Sequence, residues 1–145
     1  MENFDILSGS SDQNIKLWDA EDGVCKKTLI GHASWVTAVA VLTETTIISG
    51  SRDKFLKVWN IEDETCLLTL SGHFDGIKCV FVVSPTIVAS GSMDRSIKIW
   101  DILTGELKKE LTGHNSWVMS LGVSHDGKLV SGSVDETIKF WEIDA

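Results

Sequence analysis

The chain has 145 residues, enough for one domain and too few for several. At 43% hydrophobic and 23% charged it has the composition of a folded globular protein, which excludes a disordered tail. A net charge of −8, from 21 acidic and 13 basic residues, repels phosphate backbones and anionic lipid, so neither nucleic acid nor a membrane is expected as a direct partner.

Met1–Ser10 holds two acids, no base and no apolar stretch of the length an export signal needs. The longest apolar runs, Ala38–Leu42 and Cys79–Val83, are strand-sized and far too short to cross a bilayer. An intracellular protein, cytoplasmic or nuclear, is expected. The odd, sparse set Cys25, Cys66 and Cys79 does not make a disulfide framework, and reduced, mostly buried thiols are expected.

The first predicted strand is Asp5–Ser10. Further along, β-branched content and turn residues mark Val36–Leu42, the turn Thr43-Glu44-Thr45, Thr46–Ser51, and the turn Arg52-Asp53-Lys54. Phe55–Asn60 follows, then Glu62-Asp63-Glu64 and a last strand, Cys66–Leu70, before Ser71-Gly72-His73 opens the next unit. Ser84-Pro85-Thr86 and His125-Asp126-Gly127 are stronger turn signals of the same kind. Connections this short require antiparallel neighbours.

The pattern repeats. Ser-Gly-Ser-x-Asp begins at Ser8, Ser49, Ser90 and Ser131, each 41 residues after the last. Trp18, Trp59, Trp100 and Trp141 keep the same step, as do the pairs Gly31-His32, Gly72-His73 and Gly113-His114. The units are 5–30 (partial), 31–71, 72–112 and 113–145 (partial), in a single domain over 1–145. A four-stranded sheet that is apolar on both faces cannot bury them alone, whereas radial stacking of such sheets buries both.

Gly-His, Ser-Gly-Ser-x-Asp, Ile-Lys-x-Trp and the Trp-Asp ending together resemble the WD40 repeat family. Only Trp18-Asp19 and Trp100-Asp101 keep the literal ending; Trp59-Asn60 and Trp141-Glu142 depart from it. The resemblance implies an all-β fold of propeller blades, about four per chain, in which each unit supplies the outermost strand of one blade and the inner three of the next. Counted in the family's order, the chain holds 3, 4, 4 and 3 strands, or 14. Two routes to a closed ring stay open: a longer propeller, or two copies forming a dimer of about eight blade-like sheets.

Each complete unit also contains Ser, His and Asp: His32, Ser49 and Asp53; His73, Ser90 and Asp94; His114, Ser131 and Asp135. Nucleophilic catalysis needs one such set with an exposed serine and an oxyanion hole, not three copies each followed by a tryptophan. The resemblance implies a buried hydrogen-bonded chain instead, from Trp59, Trp100 or Trp141 through the first serine to histidine and aspartate. Equivalent histidines in successive sheets lie at least about 10 Å apart, too far for one zinc ion with ligands near about 2 Å. Neither catalysis, a metal nor a cofactor is expected.

The family binds partners mainly at the narrow end of the ring. Carried over by position, that face would hold Trp35, Gly76 and Trp117; Thr37, Lys78 and Met119; and Ser11, Arg52, Met93 and Val134. Trp, Met and Arg are the side chains that dominate binding hot spots. Lys16, Lys57, Lys98 and Lys139 are expected to pack their stems along the sheet with heads in water. The expected function is a non-enzymatic scaffold for proteins or peptides, with a self-assembling structural module as the alternative.

Overall fold

A computed structural model of the protein describes residues 5–143. Among these residues fourteen strands and no helix are found, and the strands form four antiparallel sheets. The first sheet is β1 (Ile6–Gly9), β2 (Ile15–Trp18) and β3 (Cys25–Leu29); the second is β4 (Val36–Val41), β5 (Thr46–Ser51), β6 (Leu56–Asn60) and β7 (Thr65–Leu70). The third is β8 (Ile77–Ser84), β9 (Ile87–Ser92), β10 (Ile97–Asp101) and β11 (Glu106–Leu111), and the fourth is β12 (Val118–Val123), β13 (Leu129–Ser133) and β14 (Ile138–Trp141). Strands neighbour each other in sequence order within every sheet, as short turns require. The division into three, four, four and three strands is the one that the resemblance implies.

The core lies between sheets. Ile15 and Leu29 of the first sheet meet Val36, Ile47 and Trp59 of the second. Ile48, Leu56, Val58 and Leu70 then meet Ile77, Val88 and Trp100 of the third, and Ala89, Ile97, Ile99 and Leu111 meet Val118 and Leu129 of the fourth. Each central sheet therefore buries apolar side chains on both faces. The second strand is buried along nearly its whole length, because it runs through the middle of the stack.

Glycines set how close the sheets approach. A Cβ on Gly50 would stand 2.6 Å from Ile77 Cγ2, and one on Gly91 2.6 Å from Val118 Cγ1. Opposite these glycines and Gly132 the first strand of the second, third and fourth sheets carries a β-bulge: the register jumps between Val36 and Ala38, Ile77 and Cys79, and Val118 and Ser120. Thr37, Lys78 and Met119 are the extra residues, freed from pairing and re-aimed.

Two sequence expectations fail. Cys25 and Cys66 are exposed, because both sit at the start of an outermost strand whose early residues face solvent. Only Cys79 is largely enclosed, and burial pushes its thiol up to about 12. Lys98 does not carry its head to open water: it is 2% exposed, and its Nζ lies 3.1 Å from Glu110 of the neighbouring strand. The equivalent Lys57 faces Thr69 instead and donates to its hydroxyl at 3.0 Å.

Gly50→Ala should destabilise the protein by about 1–3 kcal/mol, since Ile77 is fully buried and has nowhere to go. Gly122→Ala, with nothing within 4 Å of its Cβ, should stay within about 0.5 kcal/mol of the parent in urea unfolding. Equal effects would show that sheet spacing is not set at the glycines.

Candidate functional site

The loops of one end are held by a polar chain repeated in three sheets. In the third sheet, Trp100 Nε1–H donates to Ser90 Oγ (2.8 Å), Ser90 O–H donates to His73 Nε2 (2.7 Å), and His73 Nδ1–H donates to Asp94 Oδ2 (2.7 Å). The second sheet repeats it through Trp59, Ser49, His32 and Asp53, and the fourth through Trp141, Ser131, His114 and Asp135, with every link between 2.7 and 2.8 Å. With the imidazole neutral and the carboxyl ionised, each polar hydrogen has one acceptor. The first sheet has only the opening link, Trp18 to Ser8 at 2.9 Å, while Asp12 accepts from the Asn14 amide.

The aspartates do more than accept from histidine. Asp53, Asp94 and Asp135 also take the amides of Ala33, Phe74 and Asn115 on Oδ2, and those of Phe55, Ser96 and Thr137 on Oδ1. Each thereby ties the loop before the first strand to the turn after the second. The second serine of each Ser-Gly-Ser, which the repeat alone leaves without a role, caps the same turn: Ser51, Ser92 and Ser133 accept from the aspartate amides at 3.0–3.1 Å.

Ser49, Ser90 and Ser131 are at most 1% exposed, out of reach of a substrate, so these sets hold structure and present no nucleophile. Among the described residues no group of three or more His, Cys, Asp or Glu converges as metal ligands would.

On this frame the loop residues form an arc. Arg52 lies over the Trp35 ring, its guanidinium carbon 4.7 Å from the centroid, and its amide donates to Trp35 O at 2.9 Å. Met93 and Val134 donate in the same way to Gly76 O and Trp117 O. Lys78 of the third sheet reaches over Trp117 of the fourth, Nζ 5.3 Å from the ring centroid, linking two sheets. Trp35 is 50% exposed, Trp117 and Met119 43% each and Val134 54%; Ser11 and Arg52 are exposed as well.

Four positions differ from a simple surface set, the half-buried Lys78 among them. Gly76 is buried because Arg52 Cα and Met93 Cε would stand 3.1 and 2.9 Å from a Cβ there. Met93 itself is half-buried. Thr37 is also half-buried and donates toward Gly50 O at 3.1 Å and Ile77 O at 2.5 Å, which bridges the second and third sheets. Phe74, 80% exposed beside His73, joins the exposed surface although its sister positions are Ala33 and Asn115. An aromatic directly after Gly-His is the sequence signal that marks it.

The histidine and aspartate environments favour opposite charge states. Burial disfavours imidazolium at His32 more than Asp53 favours it, so this histidine titrates below its ordinary value of 6.5. Desolvation alone would raise the carboxyls of Asp53, Asp94 and Asp135. Hydrogen bonds outweigh it and hold all three below the usual 3.8: the Ala33 and Phe55 amides at Asp53, His73 and Ser96 at Asp94, and Thr137, Asn115 and His114 at Asp135.

Two outcomes follow. Asp94→Asn and His73→Ala should each lower stability by about 1–3 kcal/mol in denaturant unfolding, because buried partners are left unpaired. Because the folded state binds protons less readily than the unfolded chain at His32 and at the three aspartates, their contribution to stability should be full above pH 6.5, decline as His32 is forced to protonate, and fall again below 3.8 as the aspartates do. A melting temperature that rose on acidification would contradict a neutral His32.

Comparison with known proteins agrees with this geometry. The family model described as WD domain, G-beta repeat matches residues 2–19, 23–60, 64–101 and 105–142. Its later matches each span the outermost strand of one sheet and three strands of the next, the staggered division that the resemblance implies, whereas the units counted from Gly-His, 31–71 and 72–112, each coincide with one whole sheet. The Lissencephaly-1 homolog of Branchiostoma floridae is 56% identical over 34 residues, 23% of this chain and 8% of that protein's length. Among solved structures, the computationally designed Ika4 protein superposes with a TM-score of 0.86 at 38% identity, over 99% of this chain and 88% of that one. The designed Ika8 protein gives 0.85 at 38% identity over 99% and 44%, and the WD40 β-propeller domain of Doa1 gives 0.87 at 29% identity over 98% and 48%. The fold is that of WD40 propeller blades, and the chain belongs to the WD40 (WD domain, G-beta repeat) family.

Proposed function

We propose that the chain is a non-enzymatic scaffold that takes a protein or peptide partner on the arc holding Trp35, Arg52, Lys78 and Trp117, and that it works as a homodimer in an intracellular compartment, cytoplasmic or nuclear. WD40 propellers in general bind other proteins and are not enzymes. The observation that carries the reading for this chain is a pair of half-exposed tryptophans, each topped by a cation. An indole held in place by a cation presents a large rigid surface at little entropic loss, which is how hot-spot aromatics work. The bulges at Lys78 and Met119 support it too, since bulges turn side chains away from the ladder toward a ligand.

The net charge of −8 favours proteins over nucleic acid or anionic membrane as partners. Two exposed free thiols, Cys25 and Cys66, are compatible with a reducing compartment. The homodimer is supported by apolar side chains left open on the outer sheets, Ile6 and Phe140 among them.

Trp117→Ala should leave the melting temperature within a few degrees and weaken a partner recovered by affinity capture by about 2 kcal/mol or more, roughly 30-fold. The Trp35→Ala/Trp117→Ala pair should abolish capture. A large loss of stability would instead make Trp117 a packing residue and withdraw the site.

A further inference from the structure

Two exposed side chains of the fourth sheet, Ile138 and Phe140, occupy positions that are buried in every other sheet. Ile138 stands 82 residues after Leu56 and 41 after Ile97, both 0% exposed, yet it is itself 69% exposed. Phe140 corresponds to Val58 and Ile99, at 7% and 5%, and is 62% exposed. At the other end, Ile6 corresponds to Ile47, Val88 and Leu129, none above 1%, and is 57% exposed. Trp18 is half-buried where Trp59 and Trp100 are 1% and 2% exposed. In each inner junction the leading face of one sheet supplies the first kind of position and the trailing face of the next supplies the second. The fourth and first sheets thus carry two halves of a junction that the single chain leaves apart.

Resting on the homodimer part of the function proposed above, we propose that the occupant of the open fourth-sheet face is the first sheet of a second copy. Two chains then close a ring of eight sheets through two identical junctions related by a two-fold axis. Ile138 and Phe140 of one copy close over Ile6 and Trp18 of the other, in the register of the inner junctions. None of these four side chains is charged, so closing the junction over them leaves none of the four as a buried, unpaired charge. Propeller chains of one and of two such lengths share the fold: the same 99% of this chain matches 88% of Ika4 and only 44% of Ika8. Two lengths of this chain also approximate the Doa1 domain, of which it matches 48%.

The junction differs from the inner ones in one respect. Val36, Ile77 and Val118, from first strands, fill the space beside Gly9, Gly50 and Gly91. The described first sheet has no strand ahead of β1 to do the same for Gly132, which lines a concavity of about 340 Å³ with Gly122, Val130 and Ile138. A Cβ on Gly132 would meet only Ser120 Oγ. In the ring of two chains that concavity stays open.

Light scattering of the full chain and its variants at micromolar concentration tests the assignment, with circular dichroism to confirm folding. The parent should have twice the 15.9 kDa chain mass. Ile138→Asp/Phe140→Asp and, separately, Ile6→Asp should each halve it without unfolding, since these side chains are exposed within one chain. Leu103→Asp, 77% exposed on the β10–β11 turn, and Gly132→Val should leave the doubled mass intact. A parent of 15.9 kDa overturns the homodimer together with the junction. A doubled mass that survives both face variants overturns the junction and keeps the homodimer. Loss of the dimer on Gly132→Val overturns it too, in favour of an occupant that brings its own first strand, such as a complete blade.

Discussion

A β-sheet with apolar side chains on both faces has no stable place at the surface of a protein, and this chain makes four of them. Each must lie between two others, and every other arrangement in the molecule answers to that requirement. Glycines at one position of the second strand let the sheets approach until valine and isoleucine methyls fill the gap. The first strand bulges opposite them, so the ladder survives the close approach. Stacking twisted sheets in this way fans them about an axis, which is how a repeat with no curvature of its own yields a propeller.

The Trp-Ser-His-Asp chain solves a problem created by that stacking. A tryptophan large enough to span a junction carries an N–H that the junction would strand, and burying it unpaired costs about 1–3 kcal/mol. Passing the hydrogen bond outward through serine and histidine ends it on an aspartate at the loop end, beside solvent. The same aspartate gathers the amides of two loops, so the core's polar remainder becomes the clamp for the surface. Arg52 and Trp35 stand on either side of that clamp in the second sheet, joined by a backbone hydrogen bond. Core packing and the candidate binding arc are therefore two ends of one hydrogen-bonded line.

The repeat made most of this legible beforehand. The 41-residue phase marks equivalent positions in every unit, and the family resemblance carried by its motifs supplies the three-four-four-three division and the partners of each tryptophan. Both serines of each Ser-Gly-Ser keep the phase, so the phase does not choose between them; the first comes with the family resemblance, and the 2.7–2.8 Å links run through it. Where individual residues depart from the phase, legibility ends. Lys98 is covered because Glu110 stands where another unit has Thr69, a difference between outer strands that the shared Lys-x-Trp pattern does not reveal. Cys25 and Cys66 follow the apolar rule for thiols by composition, but the edge strand they begin has one side in water. Thr37 looks like a surface residue by position, and only the bulge geometry turns its hydroxyl onto the carbonyl of Ile77.

Because each sheet touches only its neighbours, cohesion in this molecule is a sum over adjacent pairs. The central two sheets take part in two pairs each, the outer two in one. Opening in an array of this kind starts at the ends and moves inward, so amide hydrogens in β1–β3 and β12–β14 would exchange with water ahead of those in β5 and β9. Joining the ends removes the place where opening begins: in a closed ring every sheet is interior, and exchange can proceed only by breaking two junctions at once. The chain's own slowest motion would then be a property of the circle, set by the two junctions between copies, where no first strand stands beside Gly132.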